Sequence, residues 1–284
     1  MAYYRPPGPP PDPVLVQSLT QQQHAMRLRV QHEPLAAEPR LIAGCDSSFP
    51  TPDTILSVFV VLKFPSLELV EKVYNYGPVD MPYVPGFLSF REAPNVIHAF
   101  AKLENKPDVI MVDGHGIAHP RRMGIAAHLG VLLDMPTFGV AKQKLTGVFQ
   151  EPGLERGSIE PLLDAKSGEL IGEVIRSKDK ILPLFVSPGH RCDQATATRL
   201  TLACLKGYKL PEPTRLADHW AGGGVNALCS VLNDSAASSG SFSSSATASN
   251  TARLPCACAK TPASAGSCCD LDSFWPAAFV SSRW

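Results

Sequence analysis

Asp108-Val-Ile-Met-Val-Asp-Gly-His-Gly-Ile-Ala-His-Pro-Arg-Arg122 carries an apolar run into a glycine loop that holds a carboxylate, two histidines and two arginines. Val109 to Val112, flanked by Pro107 and Gly114, predict a short buried strand. Pro120 suits the first position of a helix, so a helix from about Arg121 to Leu133 is expected, and Asp113 falls at the carboxyl end of the strand. A strand, loop and helix in this order fit an open α/β sheet, whose ligands bind at that end. The free amides of a helix start near Pro120 favour an anion such as phosphate. Arg121 and Arg122 can meet that anion, and Asp113 can hold a cation.

Moving outward, residues 1–13 form a proline-rich leader, and spaced apolar residues from Val14 to about His32 suggest an amphipathic helix. Three strands follow: Leu41 to Gly44 ending at Asp46, Ile55 to Phe64, and Leu67 to Tyr76. Pro65-Ser66 marks the turn between the last two, which makes an antiparallel meander the simple reading. Beyond the quoted stretch, Thr137 to Ala141, Glu169 to Arg176 and Leu182 to Ser187 read as strands. Asp193 to Lys206 reads as a helix with an N-cap Asp and Gly207 just past its end. Strands first and alternating elements afterwards predict an α/β fold, a mixed central sheet flanked by helices, over residues 14–222. After Gly222-Gly-Gly224 periodicity gives way to Ser, Ala and Cys, so residues 223–284 read as a disordered tail.

Composition narrows the function. The 284 residues balance 26 basic against 26 acidic side chains, so a nucleic-acid site has to be a local basic patch. Arg121, Arg122, Lys142, Lys144, Lys178, Lys180 and Arg191 are its candidates. No apolar run is long enough to span a membrane, and the start of the chain has no secretory signal pattern. Cys45, Cys192 and Cys204 show neither disulfide nor zinc spacing, which points to the cytosol or nucleus.

Asp46 and Asp113 each have an ordinary reading, a turn-forming Asp beyond a strand. If their strands are neighbours, the two carboxylates repel by several kcal/mol unless a cation bridges them. Ser89-Phe-Arg-Glu92 matches a capping box, but that register puts Pro94 inside the helix. Starting the helix at Pro94 and running it to about Asn105 leaves Glu92 a free carboxylate on a loop. Oxygen ligands without a Cys or His cluster suit Mg²⁺ or Mn²⁺ better than zinc. His115 and His119 lack the glutamate of a zinc-protease helix, and Gly114-His-Gly116 lacks the third glycine of a dinucleotide loop. Lys142 at a strand exit either neutralises a phosphate or is simply solvated. Pro82-Tyr-Val-Pro85 is a stiff loop presenting Tyr83, for which core packing is the default and a wedge between bases the alternative.

The motifs together resemble the endonuclease V family, the metal-dependent nucleases that act at inosine. The resemblance rests on Ile42-Ala-Gly-Cys-Asp46, Pro82-Tyr-Val-Pro-Gly-Phe-Leu-Ser-Phe-Arg-Glu92, Val112-Asp-Gly-His-Gly-Ile-Ala-His-Pro-Arg121 and Thr137-Phe-Gly-Val-Ala-Lys142. It continues through Ser187-Pro-Gly-His-Arg191 and Gly207-Tyr-Lys-Leu-Pro-Glu-Pro-Thr-Arg-Leu-Ala-Asp218, in matching order over about residues 14–222. It implies a ribonuclease H-like fold with Mg²⁺ on Asp46 and Asp113, Glu92 close by as a further acidic participant, and Lys142 as a catalytic or phosphate-stabilising lysine. Asp218, where family members carry His or Asp, is placed near the metal. Pro82, Tyr83, Val84 and Pro85 are implied to form a wedge, reversing the core reading of Tyr83. The inosine pocket is expected around Gly86 and Gly114, and His115, His119, Arg121 and Arg122 complete the expected nucleic-acid contacts. The resemblance further implies cleavage of the second phosphodiester bond 3′ to inosine, in DNA or single-stranded RNA, leaving a 5′-phosphate. A monomer in the cytoplasm or nucleus is the accompanying expectation, with the tail as an interaction or targeting segment. The competing class is a protein that binds inosine-containing or branched nucleic acid without cutting it.

Overall fold

The run Thr54-Ile-Leu-Ser-Val-Phe-Val-Val-Leu-Lys63 is buried on both faces along nearly its whole length, as a strand with helices above and below must be. In the computed structural model, which describes residues 11–222, it is the second strand of an eight-stranded mixed sheet. In chain order the elements are α1 (Pro13–Arg27), β1 (Leu41–Thr51), β2 (Thr54–Lys63), β3 (Leu69–Pro78), α2 (Leu88–Ala101), β4 (Val109–Val112) and α3 (Ile125–Leu133). They continue with β5 (Thr137–Ala141), β6 (Ile159–Leu163), β7 (Leu170–Ile175), β8 (Leu184–Pro188), α4 (Gln194–Ala203) and α5 (Glu212–Gly222). The sheet order is β3-β2-β1-β4-β5-β8-β7-β6, with β1, β4 and β5 parallel and the remaining pairs antiparallel. The expected meander is β1 to β3, and the whole is the ribonuclease H-like arrangement.

Alternation along the central strands sorts side chains into two cores. Ile42, Val109 and Met111 face a layer with α4 and α5, where Ala197, Leu200, Ala217 and Ala221 pack. Ala43, Cys45, Ile110 and Val112 face the opposite layer, against Ala93, Val96 and Ala99 of α2 and Ile125, Ala126 and Leu129 of α3. Helix α1 attaches beside α3, through Met26 against Met123, Ala127 and Val131. No helix among the described residues is long and apolar enough to cross a membrane.

Three expectations need correction. Strand β1 runs past Asp46 to Thr51, because Ser47 and Ser48 keep pairing with β2 at Ser57 and Leu56. Helix α2 starts at Leu88, so Pro94 lies inside it and Glu92 is a buried helical residue, not a loop carboxylate. An interior proline costs about 3 kcal/mol. Burying Phe90 and Val96 returns about 1.5–3 kcal/mol each, which outweighs that cost. The capping box, set aside from the sequence, does not form: the N-cap is Phe87 and Ser89 bonds His128 Nδ1 at 2.7 Å. Helix α3 starts at Ile125, leaving Pro120, Arg121 and Arg122 in a turn where Arg122 has φ +58°. Two elements had no expectation: β6, an edge strand that tolerates Pro161, and α5. The leader up to residue 10 and the tail 223–284 lie outside the described residues.

Candidate active site

Strands β1 and β4 run parallel with Cys45 opposite Val112, so the next residue on each, Asp46 and Asp113, stand side by side. The Asp113 amide donates to the Cys45 carbonyl at 2.9 Å, which fixes that register. Lys142 leaves the adjacent β5, and its Nζ lies 2.5 Å from Asp113 Oδ2 and also bonds Asp218 Oδ1. Asp218 arrives on α5, which can lie this close only because Gly44 lacks a side chain. A Cβ at Gly44 would sit 2.0 Å from the Pro213 carbonyl oxygen. The Ser48 hydroxyl bonds the Ala221 carbonyl and ties the far end of α5 to β1.

One carboxylate oxygen from each of Asp46, Asp113 and Asp218 lies within 4.8 Å of the other two. Oxygens sharing one divalent ion at about 2.0–2.6 Å are separated by at most about 4–5 Å, so the trio fits such an ion. Burial raises the Asp46 carboxyl well above its ordinary range, with Asp113 adding to it and Lys142 opposing. Asp113 is raised for the same first reason, again with Lys142 opposing. Glu92, buried on α2, is pushed up to about 8 by desolvation and then by the charges of Asp46 and Asp113. Burial works against the charge of Lys142, but Asp113 and Asp218 outweigh it and hold the ammonium above its usual value. Hard oxygen donors that repel one another in a partly desolvated site are a cation's environment. Asp218 belongs to the trio, and Glu92 lies near enough to feel the charges of Asp46 and Asp113 without being one of its three members.

The remaining predicted residues divide. Tyr83 is 52% exposed at the tip of its loop between exposed Pro82 and Pro85, so it does not pack in the core. Val84 is buried and anchors that loop. Gly86 has φ +80°, and Gly114 has φ +150° with Ile125 Cγ2 2.6 Å from where a Cβ would be. His115 Nε2 faces the Gln143 carbonyl at 2.9 Å, and burial lowers its pKa to about 4. His119 is buried and likewise neutral, lowered to about 4 by burial and then by Arg121.

The expected phosphate site at a helix start is not formed. The Gly124 and Ala126 amides bond the Gly116 and His115 carbonyls of their own loop. Arg122 pairs with Asp164 at 2.7 Å and Glu169 at 3.3 Å, and Arg121 Nη2 bonds the Gly86 carbonyl at 2.7 Å. Both arginines are thus held by protein groups. Sequence reasoning missed Gln23, wholly buried on α1; its signal was a glutamine in the apolar stripe of Leu19, Met26 and Val30.

The Endonuclease V family model matches residues 24–219. Endonuclease V of Nostoc sp. is 46% identical over 215 residues, 75% of this chain and 96% of that protein. The catalytic domain of human Endonuclease V superposes with TM-score 0.71 at 32% identity, covering 78% of this chain and 100% of that one. Ciona intestinalis Endonuclease V, solved with a 24mer DNA containing an inosine followed by a ribo-adenosine, gives TM-score 0.68 at 26% identity, over 76% of this chain and 99% of that one. The chain belongs to the endonuclease V family, the metal-dependent endonucleases directed to inosine.

Proposed function

We propose that this chain hydrolyses the second phosphodiester bond 3′ to inosine, in DNA, in single-stranded RNA or in both, leaving a 5′-phosphate. Mg²⁺ is its working ion, and Mn²⁺ substitutes. The observation that carries the reading is the trio Asp46, Asp113 and Asp218 within 4.8 Å, with Lys142 against two of its members. An ion bound there supplies positive charge to the scissile phosphate and lowers the pKa of an attacking water. Asp46 and Asp113, fixed by paired strands, and Asp218, carried on α5, hold that ion. Lys142 stays charged through the neutral range and offsets negative charge developing on the phosphate. Glu92 supports Asp46 and Asp113 from the buried side. Exposed Tyr83 on its stiff loop fills the space of the displaced base, and inosine is read around Gly86 and Gly114. The protein works as a monomer in the cytosol or nucleus.

A pure binder has no use for a partly buried, mutually repelling acid trio, which disfavours the non-cleaving alternative. End-mapping of the products from single-inosine DNA and RNA oligonucleotides tests the reading. It expects a cut one nucleotide beyond the inosine's own 3′ bond and a 5′-phosphate on the downstream fragment; a 3′-phosphate or a scattered cut contradicts it.

A further inference from the structure

The recognition loop is braced from a distant helix. Gln23 on α1 is wholly buried, so it touches no substrate, yet its Nε2 donates to the Gly86 carbonyl at 3.1 Å and approaches the Met123 carbonyl at 3.5 Å. Its Oε1 accepts from Arg121 Nε. Arg121 Nη2 donates to the same Gly86 carbonyl at 2.7 Å, and its guanidinium lies 4.2 Å over the Phe87 ring. Two side chains from two segments, Gln23 and Arg121, therefore converge on one carbonyl at the foot of the Tyr83 loop. A side chain at Gly86 would meet Arg121 Nη2 at 2.8 Å.

A buried amide whose donor and acceptor are both engaged locks its partners in one geometry. We infer that Gln23, acting through Arg121 and Gly86, is a positioning residue for inosine recognition: α1 is the strut that sets where residues 82–86 stand. The inference rests on the proposed role of the Tyr83 loop. It also accounts for Arg121 facing inward, where it serves the loop and not a phosphate.

The test uses the full-length protein and matched single-stranded oligonucleotides with inosine or adenosine at one position, comparing kcat/KM for each, together with melting temperatures. Gln23→Ala is expected to reduce the inosine-over-adenosine preference at least tenfold while cleavage of the adenosine strand is unchanged. Gln23→Glu keeps the acceptor for Arg121 and loses the donor to Gly86, so its preference falls between Gln23→Ala and the parent. A preference within twofold of the parent in both variants overturns the inference, as does an equal loss on both strands that follows the melting temperature. Tyr83→Ala separates the two readings. If it also keeps the parent preference, the loop has no part in reading inosine and the brace falls with it. If it loses the preference while the Gln23 variants keep it, the brace alone is wrong.

Discussion

Asp46 and Asp113 lie side by side with Lys142 as the close positive charge among the described residues, so the site without its cation is electrostatically strained. Replacing one charge with a neutral isostere relieves that strain. In cation-free buffer Asp46→Asn should melt above the parent by roughly 1–2 kcal/mol of stability, since functional sites are built at a cost in stability. Added Mg²⁺ should raise the melting temperature of the parent and leave that of the variant unchanged; the same rise in both would remove Asp46 from the cation site. A second residue-scale effect comes from His128 and His119, whose pKa values burial lowers to about 3 and about 4. The unfolded chain takes up protons at these histidines below about pH 6.5, while the folded chain stays neutral. Stability is therefore full above that pH and is lost as pH falls toward 4, by up to about 1.4 kcal/mol per unit for each histidine. Denaturant midpoints across pH 7 to 4 check this, and His128→Gln should flatten the curve; an unchanged slope refutes the contribution of His128. Asp46, Asp113 and Lys142 were legible because each stands where an apolar run stops. What Arg121 and Arg122 do was not, because Asp164, Glu169 and Gly86 are distant in sequence and nothing local reveals such partners.

Among the elements, the strands were the most legible, since β2, β4 and β5 are unbroken apolar runs set off by turn residues. Helix α2 was misread because local rules put Pro94 at a helix start, whereas tertiary burial of Phe90, Ala93, Val96 and Ala99 imposes a start at Leu88. Pro94→Ala should then stabilise the protein by about 1–2 kcal/mol, the interior penalty less the added entropy of the unfolded chain. That is a rise of about 2–8 °C in melting temperature. A fall would mean that the proline ring itself packs productively. Helix α5 escaped notice because its buried face, Pro213, Thr214, Ala217 and Ala221, is small and weakly apolar, yet it delivers Asp218. Gly44 was visible as a glycine in the first motif, but not as the seat of α5.

At the scale of the molecule, sheet order turns scattered motifs into a site. Residues 46, 113, 142 and 218 converge because β1, β4 and β5 are consecutive neighbours and α5 folds back over β1. The parallel pairing of β1 with β4 is the step that the sequence patterns left open, and everything catalytic depends on it. The most direct test is Mg²⁺-dependent cleavage of single-stranded oligonucleotides with and without one inosine, by the parent and by Asp46→Ala. The account predicts that the parent cuts the inosine strand far faster than the strand without it and only with the cation, and that Asp46→Ala loses roughly a hundredfold or more in rate while still binding the strand. Cleavage by Asp46→Ala at the parent rate, or by the parent in chelator, would contradict it.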